Sequence, residues 1–103
     1  MQRPRPTVDI VVPFAGNAAS LAGLLERLAA LDLQEGDALT VVDNRPPGAA
    51  SIEAPDGTRM IAAPERASSY YARNRGSAEG DGEWILFLDA DVEPAPNLVE
   101  LYF

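Results

Sequence analysis

The sequence contains no cysteine and no histidine. Without cysteine there are no disulfides and no zinc–thiolate sites. Without histidine there are no imidazole general bases, no histidine triads and no imidazole metal ligands. Lysine is also missing: all eight basic residues are arginine, set against sixteen acids, for a formal charge of −8. An acidic chain with no basic stripe is a poor match for nucleic acid or for an anionic membrane surface. No long apolar run is present either. A spanning helix needs ~20 consecutive apolar residues. The longest uncharged stretch, residues 10–25, is shorter and is broken by Pro13, Gly16, Asn17, Ser20 and Gly23. The N-terminal arginines ahead of an apolar stretch faintly mimic a signal peptide, but Asp9 and Pro13 interrupt it. The expected location is the cytoplasm, with docking at the inner face of a membrane as a further option. Abundant alanine without lysine fits a high-GC bacterial genome.

The 103 residues are 47% hydrophobic and 23% charged, which suits one soluble domain with a modest core. Residues 1–6 form a polar, proline-punctuated lead-in, and the domain is expected over 7–103. Residues 8–13 (Val-Asp-Ile-Val-Val-Pro) read as a buried strand closed by proline. Leu21, Leu24, Leu25, Leu28 and Leu31 follow the i, i+3, i+4, i+7 template, so residues 18–31 are predicted helical, capped by Asn17 or Ser20. Residues 38–43 (Ala-Leu-Thr-Val-Val-Asp) read as a second strand, parallel to the first through a right-handed crossover. A long Pro/Gly/Ala-rich loop, 44–57, leads to a short third strand at 58–62. A second helix is expected over 67–78, with Ala67, Tyr71, Asn74 and Ala78 on one face and Gly76 weakening its end. After a polar turn at 79–83, residues 84–88 (Trp-Ile-Leu-Phe-Leu) read as a central strand covered on both faces, with Trp84 in the core. Pro94 and Pro96 then break the chain, and a further helix begins near Asn97. The fold class is therefore α/β: a mainly parallel, Rossmann-like sheet of about four strands with two to three flanking helices.

Ligands of such sheets bind outside the carboxyl ends of the strands. Pro13, Phe14 and Asn17 follow strand one, Asp43 and Asn44 close strand two, and Asp89 and Asp91 close strand four. The sharpest signal is Asp89-Ala90-Asp91. Where the chain turns at a strand end, both carboxylates can reach one site and attract a hard divalent cation. Mg²⁺ favours one or two carboxylates completed by phosphate oxygens and water. Such an ion would let an acidic protein hold a diphosphate. The plainer reading is two acids solvating a strand end. Asp43 and Asn44 can equally be turn or cap chemistry. Arg73 can clamp phosphate or stack on a base, or lie on a solvated helix face with Arg75. Phe14 can stack on a base or pack beside the first helix.

In combination these segments resemble family 2 glycosyltransferases of the GT-A fold. The resemblance rests on residues 8–13 with Asn17, on 39–44, and above all on Ser-Tyr-Tyr-Ala-Arg-Asn-Arg-Gly (69–76) running into Glu-Trp-Ile-Leu-Phe-Leu-Asp-Ala-Asp (83–91). It covers nearly the whole chain from Thr7. It implies transfer of a sugar from a nucleoside-diphosphate donor, UDP- or GDP-linked, usually with inversion. It implies that Asp89 and Asp91 serve as the D-x-D acids, Asp91 binding Mn²⁺ or Mg²⁺ on the diphosphate and Asp89 approaching the ribose or the metal. Asp43 and Asn44 then match the pair facing the base, Pro13 and Phe14 the loop against the base, and Arg73 a position beside base or phosphates. Asn44 replaces the usual second acid, and the first loop is one residue longer than the family's. The general base and the acceptor site (for a sugar, lipid or glycan) are expected beyond residue 103. On that expectation the isolated chain is inactive, and its truncated sheet favours self-association. Two alternatives fit the same residues. One is a stand-alone nucleotide-sugar-binding module. The other is a haloacid dehalogenase-type phosphatase, whose motif normally lies on the first strand with Thr two residues after the second Asp; Glu93 stands there. A dinucleotide fold is disfavoured because no G-x-G-x-x-G follows strand one.

Overall fold

A computed structural model describes residues 6–49, 52–65, 68–78, 82–91 and 93–101. The elements run β1 (Val8–Phe14), α1 (Ala18–Ala29), β2 (Ala38–Asp43), β3 (Arg59–Ala62), α2 (Ser69–Ser77), β4 (Trp84–Phe87) and α3 (Leu98–Leu101). The four strands form one sheet in the order β3-β2-β1-β4, with every neighbouring pair parallel. This is the α/β class expected, and β2 keeps the predicted bounds.

Alternation along the strands divides the core into two unequal layers. Val8, Ile10, Val12 and Phe14 of β1, with Leu39 and Val41 of β2, face α1. Helix α1 meets them with Leu21, Leu24, Leu25 and Leu28, all buried, and Val99 of α3 joins the same layer. Each of these leucines contributes roughly 1.5–3 kcal/mol by leaving water. Asn17 caps the helix, its Oδ1 accepting from the Ser20 amide at 2.9 Å. The opposite layer is thin: Val11, Val42, Ala63 and Ala72, with Tyr71 packed against them.

Helix α2 presents a different face from the one predicted. Ala72 and Gly76 are buried, whereas Asn74 is exposed. Ala67 and the side chain of Tyr70 lie outside the described residues, as does Glu79 of the 79–83 turn. A Cβ added at Gly76 would overlap the side chains of Val11 and Val42. Gly76 is therefore the contact by which α2 lies directly on β1 and β2, rather than a weak point at the helix end.

Strand β4 is a second correction. It pairs only with β1 and forms an edge among the described residues. Trp84 is 58% exposed, Ile85 44% and Phe87 42%. An unbroken apolar run predicts burial on both faces. Burial of both faces requires elements packed over them, and among the described residues β4 packs mainly against β1 alone.

Candidate donor-binding site

The parallel register gathers the carboxyl ends of the strands along one rim. Phe14 is level with Asp43, and Asp43 with Ala62. Strand β4 is staggered, with Phe87 opposite Val11. The reason for the stagger lies in β1. The Val11 carbonyl accepts from the Leu88 amide at 3.0 Å, while the Phe14 carbonyl turns the other way and accepts from Asn44 at 2.7 Å. Donors and acceptors alternate sides along a parallel strand, so the next β1 residue facing β4 after Val11 is Pro13. Proline has no N–H to offer. The ladder ends there, and the chain is released into the Asp89-Ala90-Asp91 turn.

Asp89 and Asp91 are both exposed on that turn. Asp89 approaches Arg73 of α2, with Oδ1 3.7 Å from Nη2 and the two side chains 71% and 41% exposed. A pair so open to water contributes little stability. Arg73 also lies over the Phe87 ring, 5.9 Å from its centre. Asp91 lines a cavity of about 470 Å³ on the other side of the turn, bounded by Phe14, Gly16, Ala19, Gly23 and Arg27. Among the described residues no three acidic, histidine or cysteine side chains come together in a way that could hold a metal ion. Asp89 and Asp91 offer two hard, solvent-facing carboxylates on one turn. That fits a divalent cation whose remaining positions are filled by phosphate oxygens and water, and does not suit a closed all-protein cage.

The other expected residues have firmer structural duties. Phe14 is only 4% exposed and belongs to the α1 core, closing the cavity floor. Pro13 is half-buried at the rim. Asn44 is buried, and its amide is committed to backbone: Nδ2 donates to Ala63 O at 2.7 Å, and Oδ1 accepts from the Ser68 amide at 3.0 Å. Asn44 thus braces β2 to the start of α2.

Asp43 is held by a residue that the sequence reading passed over. Arg45 Nε donates to its Oδ1 at 2.8 Å, Nη2 to Oδ2 at 2.7 Å, and the Arg45 amide adds a third bond at 3.1 Å. Arg45 is 6% exposed. These bonds hold the Asp43 carboxyl below the ordinary aspartate value, against the opposing effect of burial. A depressed folded pKa means that the unfolded chain binds the proton more readily. The pair's contribution is complete above the unfolded value of 3.8 and is lost as pH falls through the lower folded value. Arg45→Met is expected to lower stability by about 1–3 kcal/mol at pH 7, because a half-buried carboxylate loses its bidentate partner. The difference from wild type should shrink below pH 4, which urea unfolding at a series of pH values measures.

A sequence model described as Glycosyl transferase family 2 matches residues 9–102. The chain belongs to that family. The match reaches all seven elements of the fold, omitting only Val8 of β1, and sets aside the phosphatase reading, whose motif belongs on a first strand. No individual curated protein matches the chain. Among the described residues, no helix of this family 2 domain is long and apolar enough to cross a membrane.

Proposed function

We propose that this glycosyltransferase-family chain binds a nucleoside-diphosphate sugar at the carboxyl rim of its sheet, for transfer to an acceptor with inversion. The observation that carries this reading is the exposed Asp89-Ala90-Asp91 turn, released from β4 beside Arg73. Asp91, with Asp89, would hold Mn²⁺ or Mg²⁺. The bound ion supplies Lewis-acid stabilisation of the departing diphosphate. Arg73 needs little rearrangement to reach a phosphate, because its contact with Asp89 is long and solvated. A bound diphosphate therefore competes for an arginine that is already oriented by the Phe87 ring. The base and ribose would lie along the rim toward Pro13 and Asp43. Asp43 meets them as one half of an ion pair with Arg45, so the edge presented there carries both acceptors and a neighbouring guanidinium.

The position of the metal tests this directly. In ¹H–¹⁵N spectra recorded with UDP or GDP and trace Mn²⁺, amides at 88–91, 14–16 and 73 are expected to broaden first. Broadening centred on the opposite rim, around Asp37 and Thr58, would reject the site.

A further inference from the structure

Asp89 and Asp91 sit on a turn, and a turn by itself does not fix where two carboxylates point. The turn is tied from outside the sheet. Arg27, in the last turn of α1, donates from Nη2 to the carbonyl of Ala90 at 2.9 Å. Ala90 is the residue between the two acids, and the bond spans 63 positions of sequence. A second tether, from the Asp32 amide to the Pro96 carbonyl at 2.7 Å, holds the segment that follows. Ala90 itself packs against the α1-side core. The turn is thus pinned at its centre, with Asp89 toward Arg73 on one side and Asp91 toward the cavity on the other.

Arg27 is an expensive choice for holding a helix to a sheet. Its Nε is buried and makes no hydrogen bond among the described residues. A buried donor without a partner is destabilising, and an apolar residue at this point of the leucine stripe would avoid the penalty. The guanidinium lies back across the helix toward Gly23, one turn earlier, where a Cβ would make only an ordinary contact, 3.5 Å from Arg27 Nη1. What a long donor at this place provides is the bond to Ala90, made beside the cavity that Arg27 and Asp91 both line.

We propose that Arg27 is a positioning residue for metal-dependent donor binding: by holding the Ala90 carbonyl it fixes the turn so that Asp91 faces the cavity, where it would hold the cation. This rests on the donor-site reading above. Residues that orient metal ligands typically change affinity by about ten- to a hundredfold when removed. The test uses the 103-residue chain and titrates UDP and GDP in Mn²⁺. Arg27→Met keeps the apolar stem and removes the donor. It is expected to weaken Mn²⁺-dependent binding about tenfold with little change in melting temperature. Arg27→Lys, which restores a charged donor, is expected to return affinity to within about threefold of wild type. If the Met variant does not fold, Arg27→Gln takes its place, with a loss of at least about threefold expected. Wild-type affinity in the Met or Gln variant overturns the proposal, as does a loss that Lys fails to recover. Asp91→Ala separates the two levels. If that variant binds normally, or the wild type shows no Mn²⁺-dependent binding, the donor site itself is wrong and the role of Arg27 falls with it. If Asp91→Ala loses binding while Arg27→Met keeps it, only the role of Arg27 is wrong.

Discussion

Gly76→Val is expected to lower stability by about 3 kcal/mol or more, a large share of the roughly 5–15 kcal/mol available to a domain of this size. The Cβ would already overlap Val11 and Val42, and the two γ-methyls have nowhere to go. Relief requires α2 to lift from the sheet, which opens the thin Val11/Val42/Ala63/Ala72 layer and moves Arg73 away from Asp89. The melting temperature should fall by about 15 °C or more. Gly23→Ala is the control on the other helix. Its Cβ makes only an ordinary contact with Arg27, so helix propensity dominates and the variant should gain about 0.5–1 kcal/mol. Equal effects from the two substitutions would mean that Gly76 is not the packing contact described here.

The contrast also shows what the sequence could and could not reveal. β1, β2 and α1 were legible because their signals are strong: short β-branched runs buried on both faces in the strands, and leucines at helical spacing on one face of α1. α2 was legible as a helix but not in its facing. Its buried residues, Ala72 and Gly76, are small, and small residues carry almost no hydrophobic signal. β4 was legible as a strand but not in its place. Residues 84–88 have the composition of a central strand, and the pattern of side chains does not record whether a neighbour stands on each side. At the rim, the sequence marked Asp89 and Asp91 through the turn that follows an apolar strand, and the structure exposes both. It marked Asn44 for its acceptor oxygen, which the fold uses as a brace. Arg45 and Arg27 were missed for different reasons. Arg45 follows Asp43 by two residues and precedes Pro46-Pro47, a spacing from which a bidentate pair was available to infer. Arg27 sits in the last helical turn, where an arginine ordinarily answers the helix dipole, and its true partner is 63 positions away.

Asp91→Ala carries the largest expected effect on binding. Two carboxylates completed by phosphate oxygens leave the cation little to hold it once one carboxylate is gone. Mn²⁺-dependent affinity for the nucleoside diphosphate should drop about a hundredfold, equivalent to about 2.7 kcal/mol. Stability should hardly change, because Asp91 is exposed. Asp89→Ala should lose less metal binding than Asp91→Ala, since Asp89 already leans on Arg73.

The deciding measurement is calorimetric titration of UDP and GDP into the wild-type chain and into Asp91→Ala, with and without Mn²⁺. Binding of either nucleotide that requires the metal and is lost in the variant is the predicted result. Equal binding by both proteins, or binding indifferent to the metal, would contradict a donor site built on the Asp89-Ala90-Asp91 turn.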